Sequence, residues 1–273
     1  MNVIVRELEL RSIRAASVRS TVPLFRQSDF ALEGSGVVVL CDERYFVLTA
    51  GHVVGAFAES GQKILIGPFL GKSQVLPDVV AGRALGVRDP VDAGVIELLP
   101  NNDKTARRLR KRALACDDLI LVEPHCDGLD TTSATIVGCP GVRYDQRSDG
   151  HFHIEMFAYQ SFFERRADDG HLVIIIDDND AFDLDTGRAA ELPSLKGASG
   201  GGVWVISEEP RARPCLVATH VGSEKERGEG LRYATAAPLR THLRILHEHF
   251  GVPVAALAAV CRHRGAAPLT PAR

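Results

Sequence analysis

The chain has 273 residues, 45% of them hydrophobic and 25% charged, and a formal net charge of −3. That composition belongs to globular proteins, and the length suffices for one large β domain or two of ordinary size. A near-neutral charge gives no global attraction to nucleic acid or a membrane surface, and no apolar stretch approaches the ~20 residues of a membrane span.

The first twenty residues carry Arg6, Glu7, Glu9, Arg11 and Arg14. They leave no room for the roughly 7–15-residue apolar core of a secretory leader. The expectation is a cytoplasmic protein whose cysteines (Cys41, Cys116, Cys126, Cys139, Cys215 and Cys261) remain free thiols. Short apolar runs broken by turn residues follow, the pattern of an all-β protein. Strands are predicted at Val37–Leu40, Tyr45–Thr49, Lys63–Ile66, Gln74–Val80 and Gly94–Leu98. Residues 101–118 contain the basic run Arg107-Arg108-Leu109-Arg110-Lys111-Arg112 and read as a link with a short helical turn, its cations solvated. Further strands are predicted at Leu119–Glu123, Ala134–Gly138, His151–Phe163, Leu172–Ile176, Val203–Ile206, Cys215–Val221 and Arg232–Ala236. Over Pro238–Phe250, the residues Leu239, Leu243, Leu246 and Phe250 share one face and predict an amphipathic helix. The division expected is an N-terminal barrel over 1–110, a C-terminal barrel with its helix over 111–250, and a tail over 251–273. No Cys-x-x-Cys pair is present, and His125-Cys126 and His151-Phe152-His153 lack the partner spacing of a metal cage. Neither metal nor cofactor is expected.

Three stretches carry chemistry. His52 follows the apolar run Tyr45-Phe46-Val47-Leu48-Thr49-Ala50-Gly51, so it stands at the end of a buried strand. An imidazole there suits a general base, because histidine titrates near neutrality. Asp92 heads the run Ala93-Gly94-Val95-Ile96-Glu97-Leu98, where a half-buried carboxylate could fix the tautomer of that ring. Ser199 lies in Gly197-Ala198-Ser199-Gly200-Gly201-Gly202. A serine hydroxyl needs a neighbouring base and an exposed position on a tight turn to act as a nucleophile. Gly197 permits a backbone that aims its N–H, with that of Ser199, at a developing oxyanion. Each stretch alone has a plainer reading: a strand-end histidine, a turn aspartate after Pro90, a glycine-rich turn. Their joint order decides. Nucleophile-elbow hydrolases run Ser, Asp, His, and subtilisin-type enzymes run Asp, His, Ser; His, Asp, Ser is the order of the two-barrel design.

On these residues the chain resembles the chymotrypsin/trypsin-like serine peptidases, in a bacterial, cytoplasmic form, from about Gly34 to about Ala237. The resemblance implies two six-stranded antiparallel Greek-key β-barrels with a C-terminal helix. It implies a serine endopeptidase acting on polypeptide substrates, with His52, Asp92 and Ser199 catalytic and Gly197 and Ser199 forming the oxyanion hole. It also maps a substrate pocket onto Pro193, Lys196, His220 and Gly222. Pro193 at the pocket base speaks against selection of Arg or Lys and for a small or apolar side chain, with His220 narrowing the site. Ala198 stands where the digestive members carry the aspartate that locks the oxyanion turn. Neutral contacts must hold that turn instead. The resulting expectation is a latent enzyme, in which a flip of the Lys196–Gly197 peptide is reversed when an activating protein partner orders residues 195–199. The alternative from another class is a catalytically silent scaffold that binds a protein partner.

Overall fold

The computed structural model describes residues 3–60, 64–66, 79–87, 90–116, 119, 124, 133–141, 144–146, 152–154, 156–176, 181–182, 189–190, 194–207, 213–225 and 232–253. Helix α1 (Val3–Ser20) leads into strands β1 (Thr21–Arg26), β2 (Leu32–Cys41) and β3 (Arg44–Thr49). Helix α2 (Gly51–Ser60) follows, then β4 (Ile64–Ile66), β5 (Val79–Val87), β6 (Ala93–Pro100), α3 (Asp103–Arg112) and β7 (Leu114–Ala115). The second half holds β8 (Ser133–Gly138), β9 (Tyr144–Gln146), β10 (Phe152–Ile154), β11 (Phe157–Arg166) and β12 (Leu172–Ile176). It ends with β13 (Ala181–Phe182), β14 (Ala189–Ala190), β15 (Gly202–Ser207), β16 (Arg213–Lys225), β17 (Arg232–Pro238) and α4 (Leu239–Phe250).

Two sheets result. The first runs β4-β1-β2-β3-β6-β5, with β7 added in parallel beside β2. The second runs β12-β17-β16-β15-β8-β11, and an additional β11–β12 ladder closes it into a six-stranded antiparallel ring. The expectation of two closed barrels is therefore met only in the second half. Among the described residues the first sheet curls without closing. Its edge strand β4 is three residues long and pairs with β1, while β5 is bulged between Ala81 and Ala84.

Alternation explains why the strands read as unbroken apolar runs. In β3, Tyr45 and Val47 enter the core inside the first sheet, whereas Phe46 and Leu48 face a core shared by both sheets. Across the molecule, Val203 and Val205 of β15 fill the ring, and Trp204 between them turns to the shared core. Both faces are buried, so period two produces no polar alternation.

Two helices, α1 and α2, have no counterpart in the predicted elements, and α3 is longer than the short helical turn expected. Helix α1 buries Ile13 and packs against β2, β15 and β16, so it touches both sheets. Helix α2 continues directly from the β3 end. The link at 101–118 holds a full ten-residue helix, α3. Asn102 caps it by accepting the Thr105 N–H at 2.9 Å, Asp103 lies in its first turn, and Arg110, Lys111 and Arg112 in its last. That arrangement suits both ends of the helix dipole. Helix α4 starts and stops as the sequence predicts, ending at Gly251 in the left-handed region (φ 68°). The predicted strand Leu119–Glu123 lies, except for Leu119, outside the described residues, as do most of Gln74–Val80 and the tail from 254. Cys41, Cys116, Cys139 and Cys215 are buried and in no disulfide among the described residues; Cys126 and Cys261 lie outside them. Among the described residues no helix is long and apolar enough to cross a membrane, and no group of three or more His, Cys, Asp or Glu is placed to hold a metal.

Candidate active site

Strand β3 ends at Thr49, and α2 begins at once, which puts His52 in the first turn of a helix. Gly51 is required here. A Cβ on it would lie 2.3 Å from the Val87 carbonyl oxygen and 2.6 Å from an Asp92 carboxylate oxygen. The close approach lets Asp92 reach the helix start, where backbone N–H groups lack partners. Its Oδ1 accepts the His52 backbone N–H at 2.7 Å, and its Oδ2 lies 2.6 Å from Nδ1 of the same residue. One carboxylate thus serves as helix cap and ring orienter. Burial is the largest single influence on Asp92 and pushes its pKa up. The hydrogen bond and charge of the His52 ring, the His52 N–H and the nearby His171 together outweigh it, and hold the carboxyl below its usual value. The ring itself is half exposed, with Nε2 left for a reaction partner.

Ser199 sits on the turn between β14 and β15. Gly197 and Gly200 both take positive φ, 90° and 86°. At Gly200 a Cβ would come within 2.0 Å of the Ser35 carbonyl oxygen and 2.1 Å of Thr49 Oγ1, so only glycine fits. The turn spends three of the five N–H groups of residues 197–201. Ala198 N donates to Leu195 O, Gly200 N to His220 O and Gly201 N to Ala198 O, at 2.9, 2.6 and 2.8 Å. The N–H groups of Gly197 and Ser199 donate to no acceptor among the described residues, which is the arrangement an oxyanion hole needs.

Ser35 of β2 joins the two halves. Its N–H donates to Ser199 O at 2.7 Å and its hydroxyl to Gly197 O at 3.0 Å, while the hydroxyl accepts from Cys139 N at 2.9 Å. Ser35 O in turn accepts from Thr49 Oγ1 at 2.7 Å, three residues before His52. The Lys196–Gly197 peptide is pinned at its carbonyl by Gly141 N, 2.7 Å away. Ala198 is buried and apolar, so neutral contacts hold this turn. The Ser199 hydroxyl donates to Val221 O at 2.9 Å, and no hydrogen bond joins it to His52 in the structure.

Sequence reasoning missed Ser35, His171 and His242. His171, with Asp169 on its Nδ1 at 2.9 Å, uses Nε2 to accept the Asp92 backbone N–H at 3.2 Å. Buried His242 of α4 places Nε2 2.9 Å from Thr49 O and 3.1 Å from Thr219 Oγ1, tying the last helix to the strand before His52. No motif surrounds these residues in the sequence. They are found only through long-range contacts.

Beside Ser199 a cavity of about 470 Å³ is lined by Ser194, Lys196, His220, Gly222, Ser223 and Arg232, among others. Three of the four residues mapped to the substrate pocket, Lys196, His220 and Gly222, meet there; Pro193 lies outside the described residues. No protein-family model matches the chain, and no curated protein matches it in sequence.

Proposed function

We propose that the protein is a serine endopeptidase of the chymotrypsin-like design, its curled sheet and closed ring standing for that family's two barrels. One juxtaposition supports this reading above all. Ser35 bonds both to Thr49, which ends the strand leading to the carboxylate-oriented His52, and to the turn of Ser199, where two backbone N–H groups donate to no acceptor among the described residues. In the mechanism, Ser199 Oγ attacks the substrate carbonyl carbon and passes its proton to His52 Nε2. Asp92 holds the Nδ1–H and stabilises the imidazolium. The N–H groups of Gly197 and Ser199 receive the oxyanion, each donor contributing ~2.7–4 kcal/mol to the transition state in comparable sites. Collapse of the tetrahedral intermediate breaks the C–N bond as His52 protonates the leaving amine. Water, deprotonated by His52, then hydrolyses the acyl-serine ester. No cofactor takes part.

The hydrogen bond from Ser199 to Val221 O favours a specific resting state. The hydroxyl must rotate about χ1 to meet His52, so the chain as described is not poised for attack. A ligand or partner that occupies the Val221 carbonyl would release it, gaining only its differential affinity for the two rotamers. The test is labelling with a fluorophosphonate probe. Wild-type chain should label once, at Ser199, and Ser199→Ala should not label while melting at nearly the same temperature. Labelling that survives Ser199→Ala sinks the assignment. A wild-type chain that binds substrate peptides, yet neither labels nor cleaves them, is instead a silent scaffold.

A further inference from the structure

The cavity beside Ser199 contains an oddity in hydrogen bonding. His220 of β16 is fully buried, its N–H donates to Gly201 O at 2.7 Å, and its carbonyl accepts from Gly200 N at 2.6 Å. The backbone is thereby locked to the nucleophile turn. Both ring nitrogens, however, lack a hydrogen-bond partner. A buried polar group left unpaired is costly. Such an orphan lining a cavity marks a place where a ligand completes the bonding. The cavity's other polar walls are hydroxyls (Ser194, Ser223) and cations (Lys196, Arg232), and none of the described residues lining it is acidic. Every one of these groups can donate a hydrogen bond. The exposed Lys196 ammonium adds positive charge, so the lining suits an anion.

From this lining we infer that the cavity receives an acidic side chain, glutamate or aspartate, from the substrate residue whose carbonyl Ser199 attacks. The inference rests on the peptidase reading for the identity of the ligand, and on the unpartnered imidazole for its charge. It replaces the small or apolar preference expected from Pro193. Burial pushes His220 down to about 4, helped by nearby His52 and opposed by the Thr235 backbone. At neutral pH the empty pocket therefore holds a neutral ring, which still donates one N–H to a carboxylate and gains a proton more readily once the anion is bound. Keeping the ring neutral when the pocket is empty avoids stranding a buried charge.

Equilibrium binding to the Ser199→Ala chain separates the pocket from turnover. Two N-acetylated peptides identical except for a C-terminal Glu or Gln share the same α-carboxylate, so their difference isolates the side chain. Calorimetry at neutral pH should show the Glu-ended peptide binding at least about tenfold tighter, the worth of one charge-assisted hydrogen bond. Replacing His220 by Leu should bring the ratio close to one. Should that variant misfold, exposed Lys196→Met should still reduce the ratio several-fold. Equal affinities, tighter binding of the Gln-ended peptide, or no binding of either would overturn the proposal. The two readings can fail separately. Selective Glu binding by a wild-type chain that never cleaves or labels leaves the pocket standing and removes the peptidase. Cleavage after apolar residues without acidic preference does the reverse.

Discussion

The curled sheet and the closed ring hold their parts of the site by different means. His52 and Asp92 both belong to the first sheet's side of the molecule. They are joined by two bonds from a single carboxylate to a single residue, across the short gap between the α2 start and the β6 start. The nucleophile turn is closed internally by two bonds between residues 200–201 and His220 of the ring. It is then fixed from outside by Ser35, which belongs to the other sheet. The acid–base pair is thus a local device, and the nucleophile turn is built across the interface. Misalignment should therefore arise between the two, and the Ser199 hydroxyl resting on Val221 O is that misalignment. The Lys196–Gly197 peptide is not its source. A flip there would break the 2.7 Å bond from Gly141 N, so under the proposed peptidase reading latency would rest on a side-chain rotamer, where the sequence pointed to a peptide flip.

The largest effect should come from breaking the local device. Asp92→Asn keeps the shape but presents an amide to Nδ1, which favours the wrong tautomer and removes the charge opposite the imidazolium. In a triad that change costs about 10⁴-fold in kcat. Steady-state cleavage of the best peptide measures it, and a loss under about tenfold would mean that Asp92 is only a helix cap.

Next comes acid sensitivity on the ring side. His220 is held at about 4, below its ordinary 6.5. The unfolded chain therefore takes up the proton first. The stability tied to this group is complete above about pH 6.5 and is lost as pH falls towards 4, by ~3 kcal/mol in all. Buried His242, also pushed down by burial, acts in the same direction from α4. Denaturant unfolding at several pH values should show this slope, and His220→Leu should remove the His220 share while leaving that of His242. An unchanged slope would mean that the ring is already protonated or well solvated.

How much of this was legible in the sequence follows from the range of the contacts. His52, Asp92 and Ser199 stand in compact local motifs, each an apolar run or glycine turn a few residues long, and the strands around them are continuous apolar runs. Ser35 gives no such signal, because what it does depends on Gly197 and Cys139, 162 and 104 residues away. Helix α2 was hidden because Val53, Val54 and Phe57 extend the apolar run of β3, and periodicity alone does not divide a strand from a short buried helix that follows it. The open edge of the first sheet depends on the bulge in β5 and the shortness of β4, properties of pairing rather than of composition.

A smaller effect should come from the bridge between the halves. Ser35→Ala preserves the backbone bonds but leaves the buried Cys139 N–H without its acceptor and Gly197 O without its donor. Stability should fall by about 2 kcal/mol, and kcat/KM should fall by about tenfold as the oxyanion turn loosens. The informative quantity is the second. If kcat/KM changes by less than about twofold, the ring alone holds the turn and the contrast drawn between the two regions is wrong.

The smallest effect concerns a place where the ring reaches back to the acid–base pair. The turn at 167–171 is closed by bonds from Ala167 N to His171 O and from Gly170 N to Ala167 O, at 2.8 and 2.9 Å. It presents His171 with Nδ1–H donated to Asp169. That tautomer leaves Nε2 a lone pair with which to accept the Asp92 N–H. The contact steadies the backbone of Asp92, whereas the two bonds to His52 come from its side chain and survive without it. His171→Leu should therefore cost roughly 1 kcal/mol of stability, the net worth of one hydrogen bond. It should lower kcat/KM by less than about tenfold, and His171→Asn, whose amide oxygen can accept the same N–H, should recover most of both. A thousandfold loss in the Leu variant would show that the pair depends on the ring as heavily as the nucleophile turn depends on Ser35, and the site would then have no local half at all.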